Sequence, residues 1–151
     1  MVIEESIHIS ATPDAVMACY RDVAAWPQWD PDTKEASIEG PFETGATGRL
    51  RPTKGFAVRM RFVEVNGNSF TVECLAPLCT LRFEHIVQAL GERTRVTHRV
   101  SFNGPLSAFF GGLIGPRVRT GLPVTLSKLK QHLENQHLTT SSTDHGVALR
   151  T

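Results

Sequence analysis

The sequence predicts an α+β fold, an antiparallel strand meander followed by a long C-terminal helix. Three observations carry this. Between Thr33 and Asn103, short apolar/polar alternations are punctuated by turn signals at Gly40-Pro41, Thr44-Gly45, Thr53-Lys54-Gly55, Asn66-Gly67-Asn68, Ala76-Pro77 and Gly91-Glu92. Half-buried strands joined by tight turns read this way. After Asn103 the period changes: Leu122, Leu126, Leu129 and Leu133 recur at steps of three and four, which aligns them on one helix face. Ahead of the meander stand one strand and two short helical segments.

Taken in order, Val2 to Ser10 alternates, with Ile3, Ile7 and Ile9 on one face and Glu4, Ser6 and His8 on the other. Thr12 then suits an N-cap, Pro13 the first helical position and Asp14 the positive helix end, so a short helix runs from Pro13 to about Tyr20. The stretch DVAAWPQWDP is a second short helical or turn segment, because Pro27 and Pro31 forbid a long one. The last element spans Leu106 to about Gln136. Its first half holds Gly111, Gly112, Gly115, Pro116, Gly121 and Pro123. A glycine costs a helix about 1 kcal/mol and an internal proline about 3 kcal/mol relative to alanine, so a kink or break is expected there. Residues 137–151 lack periodicity and read as a disordered tail, leaving one domain over residues 1–136.

Composition narrows the classes. The chain has 151 residues, 40% apolar and 21% charged, with net charge +1. That is globular composition, and the absence of a basic stripe argues against nucleic acid. The opening MVIEESIHIS has no basic segment leading into an apolar run, so no signal peptide is expected. No uncharged stretch is long enough for a membrane span. Cys19, Cys74 and Cys79 are odd in number with no CxxC spacing, which suits reduced thiols and a cytoplasmic location. G-x-S-x-G, P-loop, HExxH and dinucleotide-binding signatures are absent.

The candidate chemistry lies in FEHIVQALGERTRVTHRV, Phe83 to Val100. Gly91-Glu92 fits a type II′ hairpin turn. The implied register sets His85 opposite His98, Val87 opposite Val96 and Phe83 opposite Val100, with Glu84 opposite Arg99 on the other face. It sorts apolar from polar residues, Ile86 excepted, whereas a one-residue slip would not. Both imidazoles then face the buried side at a non-hydrogen-bonded pair, where side chains come closest. A three-residue turn at Asn66-Gly67-Asn68 likewise aligns Phe62 with Val72 and Met60 with Cys74. Arg49, Arg51, Lys54, Arg59 and Arg61 read as a solvated strand face, and Trp26 and Trp29 as aromatics anchoring the short helices.

The order of elements resembles the START-like SRPBCC superfamily, and within it polyketide cyclase/dehydrase-type proteins with the helix-grip fold. The resemblance rests on Pro13 and Val16, on DVAAWPQWDP, on Gly40, Gly45 and Gly48, on TRVTHRVSFNGPL and on LPVTLSKLKQHLE. It implies a curved sheet wrapped around the C-terminal helix, and an apolar ligand (lipid-, polyketide- or quinone-like) held in a cavity between them. The sheet residues expected to line that cavity are Met60, Phe62, Val72, Cys74, Phe83, His85, His98 and Val100, joined by Phe110 and Leu113 from the helix. The alternative is a cofactor-free cyclase or dehydratase in which His85 and His98 supply acid–base chemistry; a third is a partner-presenting module. No metal or cofactor is expected, since two histidines fall short of a ligand set and Cys74 as a third is speculative. Whether the chain is an enzyme, and whether it is a monomer or a homodimer, stays open at this level.

Overall fold

A computed structural model describes residues 1–147, with side chains through Ser142. Among these residues seven strands form one antiparallel sheet: β1 (Val2–Ile9), β2 (Thr33–Glu39), β3 (Thr47–Pro52), β4 (Val58–Val65), β5 (Ser69–Ala76), β6 (Cys79–Leu90) and β7 (Arg93–Asn103), in spatial order β1-β7-β6-β5-β4-β3-β2. The sheet curves around a helical layer. Helix α1 (Pro13–Arg21) and a 3-10 helix (Val23–Gln28) carry the chain from one sheet edge to the other, and α2 (Ser107–Val147) returns along β1 and β7.

The local signals act as their chemistry dictates. The Thr12 hydroxyl accepts the Ala15 N–H at 3.2 Å and caps α1. Val16, Met17 and Tyr20 form its buried stripe. The Trp26 indole N–H donates to the Tyr20 carbonyl at 2.9 Å, fastening the 3-10 helix to the end of α1. Gly91 sits at φ 61°, as a type II′ turn requires, and the β6–β7 register is the one its spacing implies, from Leu90 opposite Arg93 to Thr80 opposite Asn103.

The β4–β5 hairpin reaches its expected pairing by another route. Phe62 faces Val72 and Met60 faces Cys74, but the turn is tighter than three residues: the Asn66 N–H donates to the Ser69 carbonyl at 2.8 Å. A register shift between Phe62 and Glu64 restores the missing step, which is how a β-bulge accommodates an extra residue.

Helix α2 departs from expectation twice. It is continuous through Pro116 and Pro123, so the predicted break is absent. Close packing offsets the poor local propensity: the Met1 side chain occupies the space where a Cβ on Gly111 or Gly115 would stand, and Asp32 does the same at Gly121. The second departure is length. The helix continues to Val147 rather than ending near Gln136, so residues 137–147 are not the tail their composition suggests. Beyond Leu133 none of the described side chains is buried. This extension is held by the helix ladder and by hydroxyls bonded one turn back, such as Thr140 to the Gln136 carbonyl at 3.0 Å. The rest of the predicted tail, 148–151, lies outside the described residues.

Candidate functional site

Two clusters make up the interior. The larger joins Ile9, Tyr20, Trp26, Phe62, Phe70 and Leu129 with their neighbours; the smaller is built on Ile3, Cys79, Val100 and Phe102. Leu81 and Phe83 of β6 touch both. The imidazoles lie on the same inner face of the β6–β7 hairpin.

The rings of His85 and His98 stand edge to face, with centroids 4.6 Å apart. The residue that completes the group is Tyr20 from α1. Its hydroxyl lies 2.7 Å from His98 Nε2, and its ring is 5.5 Å from that of His85. Phe70 stacks flat on His85 at 4.1 Å. The two imidazoles therefore do not open jointly onto a hollow: Tyr20 closes off His98, and Phe70 covers one face of His85.

Burial sets the protonation states. It pushes His85 down to about 4, with backbone groups of Phe70 and Phe83 opposing this only in part. It holds His98 well below the ordinary imidazole range, and the neighbouring His85 adds to this. Burial also raises the Tyr20 hydroxyl, with Cys19 a smaller contributor. At neutral pH all three are uncharged, so one proton lies on the Tyr20–His98 line, donated by the hydroxyl or by the ring N–H. His85 Nδ1 is shielded from water without a hydrogen-bond partner, as is Nε1 of Trp29, whose ring lies 5.7 Å from that of Tyr20. Each such atom costs about 1–3 kcal/mol.

The predicted lining residues divide. Met60, Phe62, Val72 and Cys74 are buried in the larger cluster and Val100 in the smaller. His98 is buried too, at 5% exposure, locked by Tyr20. Phe83 and His85 stay partly accessible, as does Leu81 beside them on the same face. Opposite the smaller cluster, α2 presents Phe110, Ile114, Val118 and Leu122, all half-buried. Leu113 is a correction: at 66% exposure it points away from the sheet, because it falls between the inward Phe110 and Ile114 on the wrong side of the helix turn. The inner surface of β6 thus remains incompletely covered beneath the first half of α2.

Sequence reasoning missed Tyr20, Leu81, Ile114 and Val118. Tyr20 was the most legible: it lies four residues after Val16 on one helix face, and a buried phenol needs a partner. Nothing local showed that the partner would be His98, 78 residues later. Asp30 was also undervalued. Its carboxyl, raised by burial, accepts from Thr33 Oγ1 at 2.7 Å and Thr125 Oγ1 at 3.3 Å, tying the WDP turn to α2. Burial pushes the Cys74 thiol up to about 12, which disfavours the thiolate a metal would bind. Among the described residues no three His, Cys, Asp or Glu side chains converge.

The family described as polyketide cyclase / dehydrase and lipid transport matches residues 1–134. This chain belongs to that family. Its fold is shared by an aromatase/cyclase, Zhui, from a Streptomyces species, at TM-score 0.75 and 15% identity over 90% of this chain and 94% of that one. It is shared also by norcoclaurine synthase from Thalictrum, at TM-score 0.71 and 14% identity over 91% and 96%. TTHA0849 from Thermus thermophilus aligns at TM-score 0.68 and 16% identity over 90% and 99%. Identities this low establish the helix-grip architecture and nothing finer. No curated protein matches the sequence. Among the described residues no helix of this family member is long and apolar enough to cross a membrane.

Proposed function

We propose that the protein binds an apolar small molecule between the sheet and the first half of α2, with His85 as the polar group at the floor of the site. One observation carries this reading: Leu81, Phe83 and His85 remain partly accessible on the inner face of an interior strand, the first two packed against the half-buried stripe Phe110, Ile114, Val118 and Leu122. Interiors pack closely, so an incompletely covered apolar strip inside a sheet is where a ligand gains most by burial. Membership in a family described by polyketide chemistry and lipid transport supports the same class of ligand.

Native mass spectrometry of gently purified protein tests this. A hydrophobic adduct is expected, and Leu81→Trp, which adds bulk to the strip, is expected to abolish it with the fold retained. A clean unliganded mass from several expression hosts overturns the reading.

The Tyr20–His98–His85 chain supports a second reading, acid–base cyclisation of a polyketide-type substrate. General bases work best with a pKa near the operating pH. A His85 imidazole at about 4 is a weak one, which places binding first. Turnover of a linear poly-β-ketone model substrate that survives His85→Ala would eliminate the catalytic alternative.

A further inference from the structure

The two ends of the sheet differ in kind. Strand directions alternate, so the start of β1, the β3–β4 loop, the β5–β6 turn, the β7–α2 connection and the first turns of α2 all gather at one end. The Leu106 N–H donates to the Leu78 carbonyl at 3.0 Å, joining the β5–β6 turn to the helix start, and Arg119 reaches Met1 Sδ at 3.8 Å. The opposite end carries the polar turns Asn66-Gly67-Asn68 and Gly91-Glu92. At the first end Phe56 is 91% exposed, Leu78 66% and Phe109 62%, with Leu75, Leu106 and Leu113 also exposed. All but Leu90, Val124 and Leu138 of the exposed large apolar side chains among the described residues lie here. Apolar surface concentrated in this way marks an interaction site.

The charges here are selective. No Asp or Glu occurs from Val100 to Leu133, where Arg117 and Arg119 stand, nor any charge from Leu75 to Leu81. Lys54 is beside Phe56. Arg49 and Arg59 oppose each other directly across β3 and β4 with no carboxylate in ion-pair range among the described residues, a like-charge pairing that destabilises a sheet. Of the nearby acids, Glu35 pairs with Arg51 at 3.8 Å and Asp30 bonds inward to Thr33 and Thr125, while Asp32 lies against Gly121 with no cation in ion-pair range among the described residues.

We propose that this end docks on an anionic bilayer surface, with Phe56, Leu78, Leu106 and Phe109 entering the interfacial layer while Lys54, Arg117 and Arg119 meet lipid phosphates. The apolar groups stand on separate segments interspersed with cations. That suits a fluid interface, where apolar insertion and attraction to anionic headgroups act together; a protein partner calls for one closely packed patch. The half-covered stripe of α2 begins in the same helix turns, so an apolar molecule entering there leaves the bilayer without crossing water. The docking itself does not depend on a ligand.

Flotation with vesicles tests the proposal, using pure phosphatidylcholine and an equal mixture with phosphatidylglycerol. The full chain is expected to float with the mixed vesicles, to ignore phosphatidylcholine alone, and to be released by added salt. Phe56→Asp combined with Phe109→Asp is expected to reduce binding by about tenfold or more. Leu113→Ser is a milder second variant, and Leu138→Asp, exposed elsewhere on α2, should bind as the parent does; circular dichroism confirms that each is folded. Protein that stays in solution with both vesicle types overturns the proposal, as does an equal loss in Leu138→Asp. A stable dimer dissociated by Phe109→Asp, or retention on an acidic protein but not on vesicles, assigns the surface to another partner and equally overturns it.

Discussion

Two successive segments of α2 lie against the same sheet and do different things. From Thr125 to Leu133 the helix drives Leu126, Leu129 and Leu133 into a sealed core with Ile9, Val16, Met17 and Tyr20. From Phe110 to Leu122 its inward large apolar side chains are only half-buried, above a strand whose own inner side chains keep some exposure. Leucines at regular spacing define the first region; glycines and prolines crowd the second, where Met1 and Asp32 pack against backbone. One helix thus combines a segment sunk in the core with a segment whose apolar stripe stays partly uncovered.

The largest expected effect breaks this contrast if it fails. Leu129→Ala, at a fully buried position, should lower stability by about 2–5 kcal/mol. Ile114→Ala, half-buried, should cost under about 2 kcal/mol. Urea unfolding of both variants checks the difference, and equal losses would mean that the two segments are equally sealed.

Next comes pH. Both imidazoles titrate lower in the folded chain than in the unfolded one, where the pKa is about 6.5. Below that value the unfolded chain takes up protons that the folded chain does not, so stability falls with falling pH. For His85 the loss should reach roughly 3 kcal/mol by pH about 4, where the folded form also protonates. Above about 6.5 its contribution is fully present. Comparison with His85→Phe isolates this slope from Asp30, whose raised carboxyl acts in the opposite sense. A smaller change is expected from Tyr20→Phe: it leaves the His98 nitrogen buried without a partner, at about 1–3 kcal/mol. Urea unfolding measures the loss, and a Tyr20→Phe protein as stable as the parent would show that the bond is not needed for the packing.

The hairpin holding the histidines was legible because two local rules agreed, the glycine-led turn and the alternation of Phe83, His85 and Val87 with Glu84 and Gln88. The β4–β5 pairings were also legible, although a tighter turn and a bulge together replaced the three-residue turn expected. Alternation constrains which faces meet and leaves open how the chain turns. The helix was less legible. Glycine and proline costs are local quantities, whereas Met1 against Gly111 and Gly115 is a contact between distant parts of the chain. Tyr20 was hidden for the same reason: its role exists only after α1 is laid on the sheet. Leu113 was misplaced because neighbouring apolar residues on a helix cannot all face inward.

The sheet order has a consequence for how the chain acquires its shape. The first strand pairs only with the last: the Ser6 hydroxyl meets Thr97 at 2.8 Å across a separation of 91 residues. During synthesis β1 emerges before the rest of the sheet and has no neighbour until β7 follows. Contacts so distant along the chain close slowly, and an unpaired apolar strand is open to wrong associations while it waits. Polar residues at Glu4, Ser6 and His8 limit that exposure to one face, a safeguard that operates before any native contact has formed.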